Sequence, residues 1–187
     1  LAILTSRAKL PGVAALLRTR WEASSVSLEI AEMLWRLSPT EVTLDLLLKT
    51  IPDQKSRFYR RLAGDFHLRR AHITGSAADY TKAISLYEAL TKEAPGTDPH
   101  LDLLTARAFE QAGHIAEAER RYRVIFARTK SSAVANNLAF LLTNKPNTSA
   151  ADLQLAETLS KLSQNAAPSD PAVLDTRGWV LLKQGHA

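Results

Sequence analysis

The sequence contains no cysteine among its 187 residues, and this excludes a disulfide-stapled fold, thiol catalysis and any zinc or iron–sulfur site built on thiolates. Glycine and proline are also scarce, at seven and eight. That excludes collagen-like and low-complexity chains, and it is too few turn formers for an all-β protein that reverses direction every ten residues or so. Aromatic residues make up 6%. No run approaches the roughly 18 apolar residues of a membrane-spanning helix. What is plentiful is apolar content, at 45%, with 23% charged residues and a net charge of +5. This balance permits acidic or nucleic-acid partners without demanding them.

Apolar residues recur at helical spacing almost throughout, and no segment alternates long enough to argue a strand. Breakers divide the chain into helices over 26–37, 42–51, 54–71, 80–94, 100–112, 116–129, 133–143, 150–165 and 171–184, with 11–23 helical and 1–9 ambiguous. Gly113 and Gly185 suit left-handed positions at helix ends. Asp98 before Pro99 reads as an N-cap, and Thr74–Asp79 as a loop.

The helices come in pairs, and the pairs repeat. In 99–130 a small residue, Ala106, is followed by Phe109, a turn at Gly113, then Ala118 and Tyr122. Small residues recur in phase at Ala31, Gly64, Ala106, Ala139 and Gly178, separated by 33, 42, 33 and 39 residues. The two long intervals coincide with loops read independently. Gly64 and Gly178 are therefore expected at points of close helix approach. This pattern resembles the tetratricopeptide repeat (TPR), a helix–turn–helix unit of about 34 residues. The resemblance is specific over 99–185, looser over 54–98 and weak before 52. Asn136–Asn144 with Ala167–Gly185 is similar to repeats of bacterial envelope TPR proteins, including lipoproteins of exopolysaccharide systems.

The resemblance implies an all-α fold, a right-handed solenoid of antiparallel helix pairs. Its expected parts are divergent TPR-like helices at 1–52, a unit with a loop insertion at 53–98, a unit at 99–131, a second unit with an insertion at 132–170, and the first helix of a truncated unit at 171–187. A chain that opens at Leu1 without Met, and closes on an unpaired helix, is expected to be part of a longer protein.

Chemistry-bearing motifs are missing. There is no phosphate loop, dinucleotide fingerprint, nucleophile elbow or H-E-x-x-H. His67 and His72, five apart, point in different directions on a helix and make a poor metal pair. The plain reading of each histidine is a solvated or helix-capping side chain. No catalysis, cofactor or metal is expected.

The TPR resemblance implies a concave groove lined by the first helix of each pair. Carried onto this chain, the groove residues expected to bind a protein or peptide are Arg61, Arg69, Leu103, Arg107, Asn136, Phe140, Asn144 and Trp179. Glu110, Thr143, Leu182 and Lys183 fall at further groove positions. Phe140 and Trp179, one frame apart, would form an apolar shelf, and the arginines would orient carboxylates. The residues by which TPR adaptors clamp a chaperone's C-terminal carboxylate are not present in the matching pattern. The expected role is a non-enzymatic scaffold or adaptor in a bacterial multi-protein assembly, in the periplasm or cell envelope or in the cytoplasm, with a lean to the envelope. One alternative is the TPR arm of a larger enzyme or of a polysaccharide or protein secretion machine. Another is nucleic-acid binding through the basic helices around Arg57–Arg70 and Arg120–Lys130, although solvated faces account for most of that charge. The uncovered apolar side of the last helix is expected to be met by further chain or by a partner, and this piece alone to self-associate or fray at that end.

Overall fold

The computed structural model describes residues 55–185, and the reading of 1–52 as divergent repeats lies outside them. The described residues form seven α-helices and no strand. They are α1 (Arg57–Thr74), α2 (Ala77–Glu93), α3 (Pro99–Gln111), α4 (Ile115–Thr129), α5 (Ser132–Asn144), α6 (Ala150–Ala166) and α7 (Pro171–Lys183). By packing, the chain falls into two compact units that meet in sequence between Leu86 and Tyr87.

Local chemistry explains the boundaries. The Ser56 side chain accepts from the Tyr59 amide at 3.1 Å and opens α1, and Gly75, with φ of 71°, closes it. Asp98 accepts from the Leu101 amide at 2.9 Å, with Pro99 in the first turn of α3. Asp170 and Pro171 open α7 in the same way, through the Ala172 amide at 2.8 Å. Orphan amides of a first turn find their acceptors locally in each case. At α6 the match is reciprocal: Ser149 accepts from the Asp152 amide, and Asp152 accepts from the Ser149 amide at 3.0 Å. The expected loop at Thr74–Asp79 is shorter than the sequence reading had it. α2 begins at Ala77, because Ser76 accepts from the Asp79 amide at 3.3 Å and turns the chain into a helix earlier.

In the first unit, Ala63, Phe66 and Ala71 of α1 and Ala83 and Ile84 of α2 are buried. A polar staple joins the two helices. Asp79 is only 4% exposed; Arg70 Nε donates to its Oδ2 at 2.7 Å, and His67 Nδ1 lies 2.8 Å from its Oδ1. The arginine holds the Asp79 carboxyl down to about 2, while burial lowers the His67 pKa against the pull of Asp79. His67 is thus neither solvated nor a cap, and Arg70 is not on a solvated face. Both correct the sequence reading.

In the second unit α3 packs on α4, α4 on α5, α5 on α6 and α6 on α7, and α5 also packs on α7. The small residues Ala106, Ala118, Ala139 and Ala156 are all fully buried, together with Tyr122. The start of α3 meets the end of α4 through Asp102 and Arg128, and Glu110 near the end of α3 accepts from the Tyr122 hydroxyl of α4 at 2.6 Å. Likewise the Ser163 hydroxyl near the end of α6 donates to the Ser132 carbonyl at the start of α5, at 2.8 Å. Lys145, just past α5, pairs with Asp152 in the first turn of α6 at 2.9 Å.

Gly178 departs from expectation. It is exposed, and a Cβ built on it would meet nothing within 4 Å. The close approach expected there is absent among the described residues, because no described helix covers that side of α7.

Candidate functional site

Asn144, the last residue of α5, organises a cluster at the α5–α7 contact. An indole N–H can only donate, so the Asn144 amide oxygen faces Trp179 and accepts from its Nε1 at 2.9 Å. The other end of the amide donates to the Phe140 carbonyl one turn back, at 2.8 Å. One short side chain therefore bonds back to its own helix, at a carbonyl that also accepts from the Thr143 hydroxyl, and holds a tryptophan on another helix. Trp179 is half-buried, and Lys183 Nζ stands 4.9 Å from its ring centroid, at cation–π range. Phe140 is 41% exposed on the neighbouring helix. The result is a small surface with one open aromatic ring, one oriented indole and one ammonium group.

The structure thus joins three of the expected groove residues, Phe140, Asn144 and Trp179, through direct contacts. Asn136 lies one turn before Phe140 on α5 and is half-buried; its Oδ1 is buried with no hydrogen-bond partner. Gln111, at the end of α3, has a buried Oε1 in the same condition. An acceptor removed from water without a donor costs roughly 1–3 kcal/mol. Arg107 is exposed on α3. Leu103, one turn earlier, is half-buried against the core rather than standing open as an anchor. Arg61 and Arg69 belong to the first unit: Arg61 is half-buried and paired with Asp65 at 3.4 Å, and Arg69 is exposed.

Two further groove positions turn elsewhere. Glu110 faces α4 through the Tyr122 hydroxyl, where burial raises its pKa. Thr143 is buried and donates to carbonyls of its own helix. Glu110 and Thr143 are therefore engaged within the fold.

The basic residues of α4 are matched by carboxylates. Arg120 and Arg121 share Glu117, each at 2.6 Å; Arg121 also meets Glu88 at 2.6 Å; Arg123 meets Glu119 at 2.8 Å; and Arg128 meets Asp102. The two arginines pull the Glu117 carboxyl down to about 2. Lys130 places its ammonium 5.4 Å from the Phe126 ring centroid. Arg120, Arg121 and Arg128 also line a cleft of about 220 Å³ with Thr91, Gly96, Asp102, Val124 and Ile125.

Among the described residues no group of three or more His, Asp or Glu side chains is placed to hold a metal ion, and no helix is long and apolar enough to cross a membrane. Compared with known protein families and with curated proteins, the chain matches no family model and no curated sequence.

The His67–Asp79–Arg70 staple escaped sequence reasoning because its members lie nine and twelve residues apart on two helices. A signal was present. Ser76-Ala77-Ala78-Asp79 repeats as Ser149-Ala150-Ala151-Asp152, and in both places the aspartate sits in the first turn of a helix, paired to a basic residue in the last turns of the preceding helix or just past its end.

Proposed function

We propose that the chain is a TPR-type scaffold that binds an extended peptide segment of a partner protein along a groove lined by α3, α5 and α7. The carrying observation is the Phe140–Asn144–Trp179–Lys183 surface. It combines rigid aromatic area with a positive charge, as peptide hot spots do. Ordering it costs little, because the Asn144 bond already fixes the indole before any ligand arrives.

Several features support the repeat reading. The in-phase alanines Ala106 and Ala139 are both fully buried, and so are their counterparts Ala118 and Ala156. The start-to-end contacts of α3 with α4, and of α5 with α6, suit antiparallel pairs within a solenoid. The orphaned oxygens of Gln111 and Asn136 suit a ligand that brings N–H donors, as an extended peptide backbone does. Lys183 and Arg107 favour a peptide carrying carboxylates. The scaffold serves an assembly rather than catalysing a reaction, and the envelope remains the favoured setting. A polyanion surface fits less well, because the α4 arginines are already engaged by Glu88, Asp102, Glu117 and Glu119.

The test uses a random peptide library displayed on phage and panned on the immobilised chain. Enriched peptides carry an apolar anchor next to Asp or Glu, and Phe140→Ala and Trp179→Ala each weaken them about tenfold or more. Peptides that bind both variants as well as the parent chain move the site off the groove.

A further inference from the structure

The net charge of +5 sits in one stretch of the chain. Residues 55–86, the described part of the first unit, carry seven Lys and Arg against two Asp. Residues 87–187, the second unit, carry eleven basic residues against eleven acidic ones, and residues 1–54 carry six against six. Ion pairs within the chain cannot cancel this excess, because each carboxylate drawn to 55–86 leaves a cation unmatched where it came from. Inside the stretch, Arg70 and Asp79 neutralise each other in the buried staple. Most of the remaining excess belongs to α1. Arg57, Arg61, Asp65 and Arg69 recur every four residues and share one side of the helix, with His72 following beside them. Arg57, Arg69 and His72 are exposed, and Arg61 and Asp65 are half-buried. The other side of α1 is packed, through Ala63, Phe66, His67, Arg70 and Ala71.

We infer that this ridge of α1 docks an acidic, extended segment of a partner protein whose carboxylates fall in two groups about 12 Å apart. The ridge has two cationic ends, Arg57 with Arg61 and then Arg69, and Asp65 stands between them. Arg69 lies two helical turns beyond Arg61, which is about 12 Å at roughly 1.5 Å per residue. An extended polypeptide covers that span in about four residues. It can set acids against both ends and an uncharged residue opposite Asp65. A nucleic-acid strand cannot, since it carries a charge on every nucleotide and would meet Asp65 as well as the arginines. The forked guanidinium groups suit carboxylates geometrically. The ridge uses no residue of the groove on α3, α5 and α7, and the inference does not rest on that groove. Its charges face solvent, so they set capture rate and orientation more than affinity, and the binding weakens as salt rises.

The experiment uses the full chain and two dye-labelled Gly-Ser peptides. One carries a pair of Asp-Glu steps about four residues apart; its twin carries Asn-Gln in their place. Neither has an apolar residue to anchor in the groove. Fluorescence anisotropy at low salt should show the acidic peptide bound and its amide twin unbound. Arg57→Glu and Arg69→Glu each weaken the acidic peptide about threefold, and together about tenfold or more, with circular dichroism unchanged. Lys161→Glu makes the same charge change at an exposed position on α6 and leaves the affinity within about twofold. A single-stranded oligonucleotide of matched charge binds more weakly than the peptide. Failure of the acidic peptide to bind overturns the inference, and so does equal weakening by Lys161→Glu and the α1 variants. An oligonucleotide that binds as tightly as the peptide or more so, and is released by Arg69→Glu, overturns it in favour of a nucleic-acid surface.

Discussion

At the scale of single residues, the firmest assignments are polar groups that packing has withdrawn from water. Asp79 is the clearest. Replacing it with Ala takes the carboxylate away from the buried Arg70 and His67, and loss of one partner from such a pair costs about 3–5 kcal/mol. Urea unfolding of Asp79→Ala should show that loss, and Lys82→Ala, exposed on the same helix, should show almost none. Tyr122→Phe is a subtler case. It keeps the buried ring but removes the donor to Glu110, with an expected cost of about 1–3 kcal/mol and no change in helical content. Neither pair could be read from spacing alone. The aromatic at Tyr122 was legible because the expected repeat frame puts bulk there, whereas its hydroxyl partner is set by how α3 and α4 meet. Phe140, Asn144 and Trp179 were all named from the TPR frame, but the bond joining Asn144 to Trp179 was not. It depends on the register of two helices 35 residues apart in sequence.

At the scale of elements, the existence and order of the seven described helices were legible, and their boundaries fell within three residues, because caps and breakers act locally. α7 starts at Pro171 as read, and Asp98 caps α3 as read. The widest differences, of three residues, fall at both ends of α1 and at the start of α2, where Ser76-Ala77-Ala78-Asp79 reads as loop. The recurring Ser-Ala-Ala-Asp start has a second job besides capping: it aims its aspartate at the base closing the preceding helix. Ser149→Ala should therefore cost about 1 kcal/mol through the lost cap, and Asp152→Ala more than that, since Asp152 also pairs with Lys145. Thermal melts of the two variants compare them directly. Gly178 is the misjudged element position. A small residue at the right phase signals an approach only if a second helix is there to make it, and none covers the Gly178 side of α7 among the described residues.

At the scale of the whole molecule, the charge balance sets the acid response. Asp79, Glu117 and Asp152 are each drawn down to about 2 in the fold by basic partners or by helix-start donors. A carboxylate with a lowered folded-state pKa contributes stability above its unfolded value, and that contribution is lost as pH falls toward the folded value. His67, lowered by burial, acts in the same direction at higher pH, because protonation below its ordinary value of about 6.5 favours the unfolded chain. The melting temperature should therefore begin to fall below pH of about 6.5 and drop more steeply below about 4. His67→Gln should remove the first part only. A melting temperature that is flat down to pH of about 4 would contradict the burial of His67.

The central claim at this scale is that the α5–α7 surface receives a peptide, and the indole of Trp179 reports on it directly. Its Nε1–H resonance is assigned by its loss in Trp179→Phe. Titration with an acidic, aromatic-anchored peptide from the library should shift that resonance saturably, with the same dissociation constant as binding measured by calorimetry. An indole signal that stays in place while the peptide binds would contradict the account.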